Sequence, residues 1–293
     1  MKVIAIRPRG FCPGVVNAIK IVEDVITNPK YPRPIQLLGM IVHNQYVVSD
    51  FAKKGVITID EPSKSRLELA QLITTGTVII TAHGIQKSIT KLLISKGVTV
   101  VDATCKDVYH TQTLIINKVA ENYEIIYIGK KNHPETEGIL GITDKIHVVE
   151  NEKDIDKLSI SSQKIFVTNQ TTFSIKDISI LVEIIQKAYP TAIISEEICD
   201  STRIRQEAII ESNKNVDACF IVGDKRSNNT ASLVKISIEE THTPTYLIES
   251  VLDIQKEMVL GKKIVSVSSG ASTPNHITKQ VITYLQNLKE DDV

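Results

Sequence analysis

The chain has 293 residues, with 34 basic against 34 acidic side chains and no formal net charge while its histidines are neutral. Hydrophobic residues make up 42% and charged ones 23%, the usage of a globular protein and not of a disordered or collagen-like chain. A balanced charge lacks the basic footprint that nucleic acid calls for, no apolar run reaches the ~18–20 residues that cross a bilayer, and the opening Met1-Lys2-Val3-Ile4-Ala5-Ile6-Arg7-Pro8 is too short an apolar stretch for a signal peptide. The expectation is a cytoplasmic protein without nucleic-acid or membrane partners.

With no Trp and 4% aromatics, the core must be built from Ile, Val and Leu, which favours buried β-branched strands in parallel sheets. Apolar runs and helical periodicity alternate along the chain. A strand is predicted at 3–6, a helix at 15–26, a strand at 35–38, a helix at 65–72 and a strand at 78–80. A helix at 89–94, a strand at 98–101, a helix at 111–121 and strands at 125–128 and 165–167 come next. The pattern closes with a helix at 178–188, a strand at 192–194, a helix at 203–212, strands at 219–222 and 264–267, and a helix at 277–288. Residues 290–293 read as a frayed tail. The fold class is α/β.

The loops repeat with a long period. Cys12, Cys105 and Cys199 each follow an apolar run and precede a helix, at spacings of 93 and 94 residues. A second loop in each repeat opens at a glycine and reaches His43, His133 or Ser227; a third carries His83, Thr171 or Ser272. A unit of roughly 90–100 residues, the size of a small domain, thus occurs three times. Its cysteine and polar loops fall at the carboxyl ends of strands, where α/β sheets bind ligands. Three similar α/β domains around a pseudo-threefold axis would converge three cysteines and six polar loops on one central cavity. Cys219, inside an apolar run, reads as core.

Each of the three cysteines stands at a helix start, where unpaired N–H groups and the helix dipole favour thiolate. Three thiolates in one cavity repel unless a cation or an iron–sulfur cluster joins them. Structural zinc takes four ligands, usually in close local pairs, and no such pair exists here. A [4Fe–4S] cluster normally takes four cysteines, so three would leave one iron open. A zinc hydrolase and a non-catalytic binder remain competing readings at this level. His43, His83, His133, Ser227, Asn229 and Ser272 offer hydrogen-bond donors suited to a phosphate-bearing group. No Walker or G-x-G-x-x-G pattern supports a nucleotide. Glu135, after Pro134, is either a plain helix-start acid or a proton donor whose pKa burial raises. His110, His147, His242 and His276 read as ordinary side chains.

The segments Arg9-Gly10-Phe11-Cys12-Pro13-Gly14-Val15, Val42-His43-Asn44, Ala82-His83-Gly84, Asp102-Ala103-Thr104-Cys105, His133-Pro134-Glu135-Thr136-Glu137-Gly138, Asn169-Gln170-Thr171-Thr172, Ile198-Cys199 and Gly270-Ala271-Ser272, in this order, resemble the 4-hydroxy-3-methylbut-2-enyl diphosphate reductase (LytB) family over essentially the whole chain. The resemblance implies a trefoil of three α/β domains, at 14–97, 98–191 and 1–13 plus 192–293, around one [4Fe–4S] cluster. Cys12, Cys105 and Cys199 match the three ligands, with the fourth iron open to substrate. His43, His83, His133, Ser227, Asn229 and Ser272 match residues that hold the substrate diphosphate. Thr171 matches a hydroxyl near the substrate's OH, and Glu135 the acid that relays protons. The implied reaction removes the allylic hydroxyl of 4-hydroxy-3-methylbut-2-enyl diphosphate with two electrons from reduced ferredoxin or flavodoxin. Isopentenyl and dimethylallyl diphosphate are the products. Asn228 stands where the family commonly has a serine, which puts a diphosphate contact there in question, and Asn169 stands where a threonine is more usual.

Overall fold

The computed structural model describes residues 1–288; the expected tail at 290–293 lies outside them. The chain runs β1 (Lys2–Ala5), α1 (Pro13–Thr27), β2 (Ile35–Leu38), α2 (Gln45–Lys53), β3 (Val56–Ile59), α3 (Arg66–Gln71), β4 (Thr77–Ile80), α4 (Lys87–Ser95) and β5 (Thr99–Asp102). It continues α5 (Lys106–Ala120), β6 (Glu124–Ile128), α6 (Pro134–Leu140), β7 (Ile146–Val149), α7 (Glu152–Ile155), β8 (Ile165–Asn169), α8 (Ile175–Ala188) and β9 (Ile193–Ile194). The last third is α9 (Asp200–Ser212), β10 (Ala218–Val222), α10 (Asn228–Thr241), β11 (Thr245–Ile248), α11 (Lys256–Val259), β12 (Ile264–Ser269) and α12 (Asn275–Asn287).

The strands form three four-stranded parallel sheets of one repeated order: β3-β2-β4-β5, β7-β6-β8-β9 and β11-β10-β12-β1. Both faces of each sheet are covered. In the first, Leu37 and Ile79 pack under α1, while Leu38, Val78 and Ile80 pack under α3 and α4. The second divides likewise between a cluster on α8 and one on α5 and α6, and the third between α12 and the pair α9 and α10. Double coverage is why the central strands read as unbroken apolar runs. Cys219 lies in this core, fully buried beside Ile221.

The structure departs from the sequence reading in helices, strands and boundaries: α2, α6, α7, α10 and α11 are absent from the predicted elements, and α5 and α9 begin at Lys106 and Asp200, ahead of the expected 111 and 203. Strands β3, β7 and β11 are also absent from the sequence reading; Thr58 and His147 interrupt the apolar runs of the first two. The expected divisions at 97/98 and 191/192 fall one strand early, since β5 bonds to β4 in the first sheet and β9 to β8 in the second. In the third sheet the equivalent place is taken by β1, paired with β12 from Lys2↔Ile264 to Ala5↔Val267. Phe220 sits fully buried in β10 between two neighbours. Phe220→Ala is expected to destabilise the protein by about 3–5 kcal/mol, read as a lower urea midpoint.

Candidate functional site

Among the described residues, nine of the twelve strands end in a loop that carries a site residue: all but β3, β7 and β11. The nine loops meet on a cavity of about 190 Å3, lined by all three sequence-selected cysteines and by His43, His83, His133, Glu135, Thr171, Ser227, Asn228, Asn229 and Ser272.

Cys12, Cys105 and Cys199 are the N-cap residues of α1, α5 and α9. Cys12 Sγ accepts from Val15 N at 3.5 Å, and Cys199 Sγ donates to Thr202 Oγ1 at 3.2 Å. Gly14 is glycine for a spatial reason: a Cβ there would lie 2.6 Å from Cys105 Sγ and 3.8 Å from Cys12 Sγ. The helix starts favour thiolate, as the sequence suggests, yet burial works against them. Burial raises the Cys105 thiol, joined by the charges of Asp107 and Cys12, and pushes Cys199 up to about 11. Three desolvated thiols around one void are stable together as thiolates only with positive charge between them, which fits a metal cluster. Arg205 behind them agrees: its buried Nε and Nη1 have no partner, as expected beside an anionic centre.

The three imidazoles stack edge and face, with ring centroids 4.5 Å apart for His43–His83, 5.6 Å for His43–His133 and 5.4 Å for His83–His133. Burial lowers all three pKa values, His43 to about 4, with neighbouring imidazoles depressing His83 and His133 further. The rings are therefore neutral at pH 7. Their nearest ring nitrogens lie within 4.8 Å of one another, close enough to hold a metal. The hydrogen bonding favours an anion instead. His133 Nδ1 accepts the Glu135 N–H at 3.2 Å, which puts the ring proton on Nε2 and makes that atom a donor. His43 keeps both buried ring nitrogens without a partner.

The other polar residues divide between contact and support. Ser227 caps α10, whose N-terminus faces the cavity and adds partial positive charge. Ser272 Oγ donates to the His43 carbonyl at 2.9 Å. Asn229 is engaged on both sides, with Oδ1 accepting Ala271 N at 2.8 Å and Nδ2 donating to Thr202 Oγ1 at 3.1 Å, and so ties the Ser272 loop to the first turn of α9. Asn228 turns its amide to Thr172, donating to the carbonyl at 2.9 Å and to Oγ1 at 3.3 Å. Asn169 bonds Gln170 O and Glu197 N, outside the cavity lining.

Glu135 is 1% exposed and takes three hydrogen bonds: from Thr171 N at 2.8 Å, Thr171 Oγ1 at 3.0 Å and Tyr127 OH at 3.3 Å. Burial nevertheless carries its pKa up to about 7 against these donors. Pro134 occupies the first turn of α6, so Glu135 is both a helix-start acid and a desolvated one. The sequence alone does not flag Tyr127. The one available signal is a phenol inside the apolar run of β6, which needs a buried partner.

An α/β trefoil with thiols, imidazoles and a neutralisable carboxyl around one axial cavity defines the class of protein. The LytB protein family model matches residues 3–286, and the chain belongs to that family. A relative from Listeria monocytogenes serovar 1/2a named 4-hydroxy-3-methylbut-2-enyl diphosphate reductase is 46% identical over 293 residues, covering 100% of this chain and 88% of its own. The structure of E-1-hydroxy-2-methyl-but-2-enyl-4-diphosphate reductase from Plasmodium falciparum superposes with a TM-score of 0.89 at 32% identity, over 98% of this chain and 88% of that one. A solved (E)-4-hydroxy-3-methyl-but-2-enyl diphosphate reductase, titled the terminal enzyme of the non-mevalonate pathway, gives 0.67 at 32% identity, over 98% of this chain and all of that one.

Buried histidines that stay neutral in the fold but protonate in the unfolded chain remove stability as pH falls from 6.5 towards 4. The ligand-free protein is expected to lose urea stability across that window, and His43→Gln to flatten the loss.

Proposed function

We propose that this chain is an iron–sulfur reductase that removes the allylic hydroxyl of 4-hydroxy-3-methylbut-2-enyl diphosphate, releasing isopentenyl and dimethylallyl diphosphate and water. The observation that carries the reading is the buried Glu135–Thr171 pair opening on the same cavity as three thiols and three neutral imidazoles. Similarity to the named reductases over the full chain supports it.

The residues divide the work between binding and proton delivery. Neutral imidazole N–H groups, Ser227, Ser272 and the α10 N-terminus bind the diphosphate, replacing its hydration with fixed donors. Asn229 and Asn228 hold the donor loops in place. A [4Fe–4S] cluster held by Cys12, Cys105 and Cys199 would supply single electrons and, at its uncoordinated iron, a Lewis acid for the hydroxyl oxygen. Two electrons and two protons balance the reaction: the C–O bond breaks, one proton leaves in water and the other ends on carbon. Which carbon receives it decides between the two products. Glu135, poised near neutrality, holds the first proton, and the Thr171 hydroxyl between carboxyl and substrate passes it on. As the family resemblance implies, a separate carrier, reduced ferredoxin or flavodoxin, supplies the electrons. No helix among the described residues is long and apolar enough to cross a membrane, and a cytoplasmic setting suits this oxygen-sensitive chemistry.

Protein purified without air is expected to be brown, with iron and sulfide, and to turn over the substrate with a strong small-molecule reductant. A colourless zinc protein would reject the reading. Glu135→Gln is expected to keep iron and substrate binding while losing most turnover, measured as kcat under saturating reductant. Near-normal kcat would remove Glu135 from the proton path.

A further inference from the structure

Arg205 lies in α9, six residues beyond Cys199, and is 2% exposed. Nη2 donates to the Gly10 carbonyl at 2.8 Å, two residues before Cys12. Nε and Nη1 are buried and have no hydrogen-bond partner. Its helix neighbour Arg203 is partly exposed and pairs with Glu196, as a surface arginine does. A desolvated guanidinium with two idle donors is costly unless negative charge stands near it. Burial lowers the basicity of Arg205, while Cys12 and Cys199, the opposing charges that act on it, support the cation. Gly10 ties it to the Cys12 loop and its own helix ties it to Cys199, so it is anchored to the loops of two of the three thiols from outside the cavity lining.

We propose that Arg205 is the counter-charge of the three-thiolate centre and favours its one-electron reduction. The inference rests on the iron–sulfur reading above. In the step concerned, the external carrier is oxidised by one electron and the centre is reduced by one; no bond forms or breaks and no proton moves. The added negative charge is offset by a cation already in place, whose field is little screened in a buried setting. Arg205 touches neither substrate nor reacting atoms and is a positioning residue.

The test compares Arg205→Met, which keeps an apolar stem without charge, with Arg205→Lys, which keeps charge without the planar fork. Both are made as holoprotein without air, assayed for iron and sulfide, and titrated against potential by absorbance and paramagnetic resonance. At a fixed potential, the reduced-to-oxidised ratio is expected to fall about tenfold in the Met variant. The Lys variant is expected to stay within about twofold of the parent, the residue left by a shifted charge position. A Met variant with full iron that titrates like the parent overturns the proposal, as does a Lys variant that shifts as far as Met. If the Met variant takes up no iron, Lys decides. Full iron with parental titration supports the charge role, and loss of iron assigns Arg205 to tethering the Gly10 loop and overturns it. Parent protein without iron and sulfide rejects the underlying reading and the proposal with it.

Discussion

Desolvation at the meeting point of three sheets governs this protein. The same burial holds three imidazoles neutral, lifts Glu135 to about 7 and raises the Cys105 and Cys199 thiols. In water none of these groups would suit the reaction: the carboxyl would be ionised, and the histidines partly charged and able to exchange protons. Moved to the axis, each is shifted towards its neutral form, and charge in the cavity is left for whatever binds there to bring. Arg205 is the exception, a buried guanidinium with two nitrogens left unpartnered.

The parallel sheet makes this convergence possible at low cost in sequence. All strands of a parallel sheet end on the same edge, so three sheets facing inward bring nine loops to one point without long excursions of the chain. The hydrogen bonds that matter for positioning between units run from Asn228 to Thr172 and from Ser272 to His43. Those bonds fix the spacing between loops that belong to different sheets, and positioning of that kind is worth as much to the rate as any single acid.

Much of this was legible in the residues. Cysteine spacings of 93 and 94 and the ordered polar loops report the threefold repeat directly, because a site residue at a strand end comes around once per unit. What stayed hidden has physical reasons. β3, β7 and β11 deliver nothing to the cavity, so no site residue at their ends marks them. The sheet boundaries shift by a strand because pairing is set by crossover helices, not by where a cysteine falls. Tyr127 looks like one more core residue of β6, and only three-dimensional proximity pairs its hydroxyl with Glu135. Arg205 is an unremarkable helix residue until burial strips it of water. The thiols illustrate competing effects: a helix start is visible in sequence, but the burial that outweighs it is not.

The pairing of β1 with β12 joins the two ends of the chain in one sheet, and Cys12 N donates to Ala271 O at 3.1 Å just beyond it. During synthesis, the first strand emerges long before its partner exists. The third sheet can close, and Ala271 O can anchor Cys12 N, only once the segment from Ile264 onward has been made. A chain cut short before Ile264 would lack both the strand that pairs with β1 and the carbonyl that anchors Cys12 N, and the first cysteine loop would lose its seat.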